Sequence, residues 1–588
     1  MVLQLPDDGR RRVVVEGVGP EIDAGRFPIK RTVGETVRVE ADVFTDGHDQ
    51  VAGVVLYRAG DDDWREAPLT PLGNDRWVAE FPIRELRPHV YTLEAWIDRF
   101  GTWAADLRKR IEAGQDVRVD LRIGAAIVRD AATRAEGADR DALERFAELL
   151  ELGENPAVAL YPGSGVLTRA YADRSQATRY ERELPVLVDR PRALHAAWYE
   201  LFPRSAAQKP GRHGTLRDVE ARLPYIASMG FDVVYLPPIH PIGHASRKGP
   251  NNSLTVREGD PGTPWAIGSE AGGHLAVHPD LGSLEDLCHL VKAAHEQELE
   301  LALDIAFQAS PDHPWVREHP TWFRARPDGT IQYAENPPKK YQDIYPFDFE
   351  TPDWRELWNA LLQVLLFWAD QGIRIFRVDN PHTKAFPFWE WAIAAVRDRH
   401  PDVLFLSEAF TRPRVMYRLA KLGFDLSYTY FAWRDTATDL REYLTELTRT
   451  EVAEYFRPSF WTNTQDILTA TLQDGGRPAS ALRFLLAATL SPCYGIFGPA
   501  FELVETTPLE RGREEYLHSE KYEVRYWDLD QPQSLRGLIG SVNTIRRGHP
   551  ALQQLRRLRF LRTDNEQLLA YAKEDRSGRD RVVVVVNL

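Results

Sequence analysis

The sequence predicts a (β/α)8 barrel as the main body of the chain, an α/β fold preceded by a β-sandwich with a helical insertion and followed by a short β domain. Short apolar runs and longer helical patterns alternate eight times after residue 196, as in a barrel of parallel strands. Residues 11–105 instead alternate apolar and polar side chains with a period of two. The length of 588 residues allows three or four domains, one of them large.

Residues 1–105 are predicted to form an immunoglobulin-like β-sandwich. Val37, Val39 and Val43 alternate with charged residues, and turn residues such as Gly73 and Asn74 separate the strand patterns. A module of this kind binds carbohydrate, forms an interface or packs without a ligand, and these interpretations stay open.

Residues 106–180 are predicted to be a helical insertion. Leu143, Phe146, Ala147 and Leu150 recur at helical spacing, and charged residues cover the opposite face. The apolar stripe is therefore expected to pack in a core, with a dimer contact as the alternative for part of it.

Residues 181–554 are predicted to form the barrel. Its first strand is expected at Ala197–Phe202 and its first helix at Thr215–Met229, ended by Gly230. The later strands are expected at 233–236, 299–305, 373–379, 403–407, 424–428, 458–461 and 493–497. A closing helix is expected at 536–547. Two long loops, 237–273 and 310–350, are predicted to build a lobe over the barrel mouth, because loops of that length are usually functional or mobile.

Residues 555–588 read as the start of a C-terminal β domain. The apolar run Val582–Val586 stands at the end of the sequence, where a strand is expected to lack the partners that it needs. The domain is therefore expected to be cut short.

Composition narrows the class of protein. The net charge of −14 argues against a general nucleic-acid binder, and the apolar share of 43% is that of an ordinary soluble protein. Two cysteines, Cys288 and Cys493, make no disulfide framework, and no signal peptide or membrane span is recognisable, so a cytoplasmic protein is predicted. Neither a cofactor nor a metal is expected: no Gly-rich phosphate loop precedes a helix, and His313 stands without a second ligand at metal spacing. His313 is expected to support its loop instead.

Candidate catalytic residues are grouped in the segment Gly372–Lys384, which has the sequence GIRIFRVDNPHTK. An apolar strand runs out there into Arg377, Asp379 and Asn380, and a proline follows. Polar groups at the carboxyl end of a buried strand are what a barrel enzyme presents to substrate. The alternative is an Arg–Asp ion pair that only closes the barrel rim.

Three more acidic residues stand at the ends of separate predicted strands. Their placement favours a shared active site over an ion pair that only closes the barrel rim. They are Asp304, Glu408 and Asp466. This ordered set resembles the four short motifs of the α-amylase superfamily over roughly residues 197–550. Where that superfamily usually has Asn-His, this chain has Gln308 and Ala309, and Gln465 replaces the usual histidine before Asp466.

The longer runs resemble one branch of the superfamily, the α-1,4-glucan:maltose-1-phosphate maltosyltransferases. These runs are Asp304–Trp315, Asn336–Tyr345, Val378–Lys384 and Asn463–Leu468. The resemblance implies a longer C-terminal β domain in that family, and homodimers.

The resemblance assigns roles to the acids. It implies Asp379 as nucleophile, Glu408 as general acid/base and Asp466 as transition-state stabiliser. Asp304 is expected to hold Arg377, which stands on the same side of its strand as Asp379 and should lower the pKa of that carboxyl. Glu408 has no basic neighbour in sequence, so its pKa is expected to rise, as a general acid requires.

The resemblance also implies a set of substrate-binding residues. They are Lys248, Gln308, Asn336, Lys339, Tyr341, Asn380, Lys521 and Tyr522. Lysines, amides and a phenol can donate hydrogen bonds to phosphate, although a generic loop lysine is usually only solvated.

The function expected from the resemblance is a retaining transfer in glycogen or α-glucan synthesis. A maltosyl group would move from α-maltose 1-phosphate to the non-reducing 4-hydroxyl of an α-1,4-glucan, and phosphate would be released. A hydrolase or a trehalose- or maltose-type isomerase of the same superfamily is the first alternative. An inactive glucan-binding scaffold is the second, although a scaffold needs none of the four acids.

Overall fold

The computed structural model describes residues 9–153, 156–157 and 162–588. The chain divides into two compact units, Met1–Val188 and Asp189–Leu588. Among the described residues, no helix is both long and apolar enough to cross a membrane.

The strands of the first unit form two sheets. One has the order β1-β3-β7-β6 and the other β2-β10-β8-β4-β5, with β9 beside β8. The strands are β1 Val13–Gly19, β2 Ile29–Thr32, β3 Thr36–Thr45, β4 Val51–Ala59, β5 Arg65–Pro68, β6 Thr70–Gly73, β7 Arg76–Pro82, β8 His89–Ile97, β9 Thr178–Arg179 and β10 Leu184–Asp189. Val37, Val39 and Val43 are almost fully buried. Phe81 of β7 stacks on Tyr57 of β4 at 4.5 Å between ring centroids, so aromatic side chains fill the space between the sheets.

Four helices follow β8 in the described part of the first unit. They are α1 Arg99–Glu112, α2 Arg118–Ala132, α3 Gly137–Leu152 and α4 Pro162–Ala170. Leu143, Ala147 and Leu150 lie in the core of this bundle and Phe146 packs against it, so the prediction of a core-packing stripe is confirmed. The chain then returns to the sandwich, because β10 pairs with β8. The predicted barrel limit at residue 181 is therefore too early, since Leu184–Val186 pair with β8 in the first unit.

Eight parallel strands of the second unit close into a barrel, as predicted. They are β11 Ala196–Glu200, β12 Val233–Leu236, β13 Glu300–Ile305, β18 Ile375–Val378, β19 Leu404–Ser407, β20 Leu426–Tyr428, β21 Pro458–Trp461 and β22 Cys493–Phe497. The interior is packed with large side chains; Trp461 stacks on Tyr428 at 4.8 Å between ring centroids. Strand β11 pairs with β22 and so closes the barrel.

The strand register brings the acids to one end of the barrel. Asp304 of β13 lies opposite Arg377 of β18, and Val378 lies opposite Ser407 of β19. Asp379 and Glu408 are the next residues after those paired positions, so both leave their strands at the same level.

Helices surround the barrel. They are α5 Leu216–Ser228, α6 Leu284–Glu296, α8 Trp354–Asp370, α9 Phe386–Arg399, α10 Pro413–Lys421, α11 Ala437–Arg449, α12 Val452–Tyr455, α13 Ala470–Leu490, α14 Gly498–Glu502 and α15 Arg536–Gly548. Thr215 with Asp218 forms a capping box that starts α5, and Ser283 with Asp286 starts α6 in the same way.

Short elements lie in or beside the second of the two long loops. Strand β14 Gln308–Ala309, just before it, is paired with β17 Tyr345–Pro346, β15 Ala334–Asn336 is paired with β16 Lys339–Tyr341, and α7 is Pro314–Glu318. His313 is 1% exposed, and its Nδ1 accepts a hydrogen bond from the backbone N–H of Trp315 at the start of α7. It therefore supports its loop, as predicted.

A pair of neutral histidines ties the two loops to the barrel. Because Nδ1 of His313 is an acceptor, its Nε2 carries the proton and donates to Nδ1 of His274 at 3.1 Å. His274 then donates from Nε2 to the carbonyl of Ala306, just after β13, at 3.0 Å. Burial lowers the pKa of both rings, to about 3 for His313, which keeps this arrangement neutral.

The last sheet contains β23 Leu558–Leu561, β24 Leu568–Glu574 and β25 Arg581–Asn587. The expectation that the final apolar run lacks partners is wrong, because β25 pairs with β24 along its whole length. Its Val583 and Val585 remain exposed, by 60% and 62%, on one face of the sheet.

Candidate active site

Arg377 is the centre of the ion cluster at the barrel mouth. The side chain is fully buried, and its guanidinium lies 2.9 Å from Asp304, 3.1 Å from Asp379 and 2.7 Å from Glu408. One cation therefore faces three carboxyl groups. A buried cluster with more acids than cations favours protons on some of the acids.

The carboxyl of Asp379 is the one that stays ionised. Burial acts to raise its pKa, but Arg377, Lys384 and Lys521 outweigh burial and hold the pKa below its ordinary value. A carboxylate that remains charged at neutral pH suits a nucleophile.

Glu408 behaves in the opposite way. Burial raises its pKa to about 8; Arg377 opposes this, while Asp379 and Asp466 add to it. The direction matches the expectation, although Glu408 does have a basic neighbour in space, Arg377. Arg377 does not keep the pKa of Glu408 low, because its positive charge is shared with Asp304 and Asp379.

Two groups just after β18 shape the surroundings of the acids. Asn380 has a left-handed backbone, with φ of 43°, a conformation that asparagine tolerates. Its backbone N–H points to Glu408 Oε2 at 3.4 Å, and its side-chain amide to Asp379 Oδ2 at 3.4 Å. Lys384, which the sequence interpretation missed, donates to the carbonyl of Asn380 at 3.3 Å. The available signal was its position five residues after Asp379 in the same motif.

Asp466 lies on a different loop and pairs with Lys521. Lys521 Nζ is 2.7 Å from Asp466 Oδ1 and 5.0 Å from the centroid of the Trp265 ring. Burial acts to lower the pKa of Lys521, but Asp466 outweighs it, so the ammonium is charged. Tyr522 is next to Lys521, and burial raises the pKa of its phenol, which stays protonated.

The predicted lobe residues have protein partners. Lys248 is 2% exposed and donates to Gln342 Oε1 at 2.7 Å. Gln308 donates from Nε2 to the carbonyl of Trp265 at 3.1 Å. Lys339 forms an ion pair with Glu515.

The remaining lobe residues lie in one hairpin. Asn336 of β15 pairs with Lys339 of β16, and Tyr341 ends β16 half-buried. Asn336 is exposed. The hairpin thus carries three of the predicted donor-binding side chains on adjacent strands.

Two buried acids were missed by the sequence interpretation. Asp343 is 2% exposed, and its Oδ1 is buried without a hydrogen-bond partner among the described residues. Burial raises its pKa, and Lys248 opposes that rise. Glu200 ends β11 with no exposed surface. Asp343 was detectable, since it follows Tyr341 by two residues in the same motif.

A separate cavity of about 590 Å³ lies elsewhere in the second unit. Phe202, Arg204, Arg247 and His278 are among its lining residues. None of the predicted site residues lines it, so it is distinct from the mouth with the acids.

Comparison with known proteins identifies relatives for both units. A family described as alpha-1,4-glucan:maltose-1-phosphate maltosyltransferase, domain N/S, matches residues 11–190. The alpha amylase catalytic domain matches residues 200–356.

Whole-length relatives share about half of their residues with this chain. An alpha-1,4-glucan:maltose-1-phosphate maltosyltransferase from Chlorobaculum tepidum is 52% identical over 100% of this chain and 89% of its own length. The protein of that name from Methylacidiphilum infernorum is 50% identical over 99% of this chain and 88% of its own length.

Solved structures support the fold alone. A maltogenic alpha-amylase from Thermotoga neapolitana superposes with a TM-score of 0.52 at 20% identity, over 67% of this chain and 86% of that chain. An isomaltulose synthase from Erwinia rhapontici gives 0.53 at 14% identity, over 67% and 90%.

Proposed function

The chain belongs to the α-1,4-glucan:maltose-1-phosphate maltosyltransferase family, and from that premise we propose that it moves a maltosyl group from α-maltose 1-phosphate to the non-reducing 4-hydroxyl of an α-1,4-glucan, with release of phosphate. The observation that carries the chemistry is the cluster around Arg377. It sets an ionised Asp379 beside a protonated Glu408, the pair that retaining glycosyl transfer requires.

The reaction is a double displacement. The Asp379 carboxylate attacks C1 of the donor, the bond from C1 to the phosphate oxygen breaks, and Glu408 gives its proton to the departing phosphate. The glycosyl-enzyme ester is then attacked by the acceptor 4-hydroxyl, whose proton returns to Glu408 while Asp379 leaves as a carboxylate. Asp466 stabilises the positive charge on the sugar ring in both transition states.

Side chains of the lobe and the barrel mouth hold the maltosyl donor, α-maltose 1-phosphate. The hydrogen bonds to its phosphate and to the nearby sugar hydroxyls come from Lys248, Lys339, Tyr341, Asn336, Asn380 and Gln308. When the donor binds, its phosphate accepts the hydrogen bond that Lys248 gives to Gln342 and replaces Glu515 as the ion-pair partner of Lys339. Each lysine therefore exchanges a protein acceptor for a phosphate oxygen. Lys521 and Tyr522 bind sugar hydroxyls beside Asp466.

A donor panel tests this function. Purified protein is given α-maltose 1-phosphate with maltohexaose or glycogen, and phosphate release and chain products are followed. We expect phosphate release that depends on acceptor and products that grow by two glucose units. Glucose 1-phosphate serves as the control donor. Shortening of starch without phosphate, or rearrangement of maltose, would contradict the proposal and identify a hydrolase or an isomerase.

We propose further that the protein is a cytoplasmic homodimer. Both cysteines are unpaired, which suits a reducing compartment. Helices α2 and α3 expose apolar side chains that a partner subunit would cover. These are Val119, Ile123, Leu149 and Leu152.

A further inference from the structure

Glu200 is a fifth carboxyl group at the barrel mouth, and no catalytic step uses it. It is the last residue of β11, has no exposed surface, and is paired in register with Phe497 of β22. An acid almost never stays fully buried without partners, so its contacts define its role.

The partner of Glu200 is an amide. The side-chain nitrogen of Gln465 donates to both carboxyl oxygens, at 3.0 and 3.3 Å, in the orientation that satisfies both ends of the amide. Gln465 is itself 2% exposed. The amide is thus directed into the barrel, toward β11.

Gln465 directly precedes Asp466, which holds Lys521 on its other side. Asn463 is a second anchor of the same loop. Its side-chain oxygen accepts from the backbone N–H of Phe497 at 2.9 Å, and its side-chain nitrogen donates to the Tyr516 hydroxyl at 2.7 Å. The backbone of Thr464 and Ile467 closes a tight turn that contains Gln465 and Asp466. Asp466 therefore stands on a turn held at both Asn463 and Gln465, while its own side chain is 41% exposed.

We propose that Glu200 is a positioning residue, which holds Gln465 by a hydrogen-bonded carboxyl–amide pair and so fixes Asp466 where it stabilises the transition state. This inference rests on the proposed function for the role of Asp466. Gln465 stands where the wider superfamily usually has a histidine, and here that position serves as a buried anchor for the loop.

The electrostatic surroundings agree with a hydrogen-bonding role. Burial raises the pKa of Glu200 well above its ordinary value; Arg377 opposes this, and Asp466 and Asp304 add to it. Of the two Glu200 oxygens that accept from Gln465, a glutamine at this position keeps one, its amide carbonyl oxygen. Glu200→Gln should therefore keep one of the two hydrogen bonds, whereas Glu200→Ala removes both.

The test combines kinetics with a readout that is independent of activity. Wild type, Glu200→Gln, Glu200→Ala and Gln465→Ala are compared by kcat and KM for maltose 1-phosphate and by hydrogen exchange of residues 462–467. We expect Glu200→Ala and Gln465→Ala to exchange faster in that segment and to lose about 100-fold in kcat with little change in KM, the cost of a displacement of about 1 Å. Glu200→Gln, which keeps one accepting oxygen, should lie between the wild type and Glu200→Ala in both readouts.

Glu502→Ala is the matched control. Glu502 is equally buried and accepts from the hydroxyls of Tyr199 and Tyr225, away from the loop at 462–467. Its loss should lower the melting temperature without faster exchange at 462–467 and without the fall in kcat.

The outcomes separate the two proposals. Wild-type exchange and kcat in Glu200→Ala and Gln465→Ala would overturn the positioning role. Glu200→Gln as impaired as Glu200→Ala would overturn it too, since the hydrogen bond that the glutamine keeps would then have no effect on the loop. A wild type without transfer would overturn the proposed function, while the exchange data would still decide whether Glu200 orders the loop.

Discussion

At the residue scale, the sharpest consequence of the Arg377 cluster is that the two chemical steps depend differently on Glu408. Phosphate is a good leaving group and needs little proton donation, whereas the acceptor hydroxyl needs a base. We expect Glu408→Ala to accumulate a maltosyl ester on Asp379 when donor is added. Intact-mass and peptide mass spectrometry checks this, and a sugar adduct on another residue would contradict the assignment of the nucleophile.

Asp379→Ala is the companion variant. It removes the attacking atom, so transfer should fall by about 10³-fold or more. Donor binding should persist or strengthen, because the substitution also removes a negative charge that repels phosphate. Calorimetric titration with maltose 1-phosphate measures the affinity, and unchanged turnover would contradict the role of Asp379.

The raised pKa values also make stability depend on pH. The pKa of Glu408 is about 8 and that of Asp304 about 7, both raised mainly by burial. Above about pH 4.5 the unfolded chain has released these protons while the folded protein keeps them, so the free energy of unfolding should fall as pH rises from about 4.5 to about 7 and 8 and should level off above those folded pKa values. Glu408→Gln cannot release that proton and should reduce the slope by at most about 1.4 kcal/mol per pH unit. Urea unfolding between pH 5 and 8.5 is the measurement, and equal slopes for both proteins would contradict it.

How far the sequence predicts single residues depends on where strands end. Asp379 and Glu408 follow apolar runs with clear limits, so their place at the mouth was predictable. Glu200 was not, because the run Ala197–Phe202 reads as one strand although β11 ends at Glu200. The ion pair of Lys339 with Glu515 joins residues far apart in sequence, so no local sequence pattern predicts it.

At the scale of elements, the lobe depends on close packing between a glycine and the histidine pair. A Cβ on Gly273 would lie 2.2 Å from Nε2 of His313, the atom that donates to His274. Gly273→Ala should therefore cost about 1–3 kcal/mol of stability and raise KM for the donor, since Gln308 lies just beyond the strand that His274 contacts.

Gly537→Ala is the control for that substitution. No atom lies within 4 Å of a Cβ there, and the position begins a helix, so stability should stay the same or rise slightly. Thermal unfolding and donor kinetics of both variants are the measurements. An unchanged Gly273→Ala protein would show that the lobe tolerates displacement of His313.

Elements were predictable where periodicity is strong and were missed where pairing is distant. The barrel strands and helices carry clear apolar patterns, and α5 and α6 also have capping boxes at their starts. Strand β10 was assigned to the wrong unit, because its pairing with β8 depends on residues more than ninety positions away. The short strands of the lobe have two or three residues each, too few for a period to show.

At the scale of the whole molecule, the proposed dimer depends on the exposed apolar side chains of the helical insertion. Val119 and Ile123 stand four residues apart on α2, and Leu149 and Leu152 three apart on α3, so each pair shares a face of its helix. Their exposure ranges from 48% to 67%. Side chains of this kind on soluble proteins mark contact surfaces when they are grouped.

Light scattering after size exclusion tests the dimer. The wild type should have about twice the chain mass of 67.1 kDa. Leu149→Glu with Leu152→Glu should give the single-chain mass, because two charges would be buried unpaired in the interface. Leu72→Glu, at a 51% exposed position in β6, is the matched control and should leave the mass unchanged. A wild type that elutes as a single chain would contradict the dimer, and a double variant that stays dimeric would place the interface on another surface.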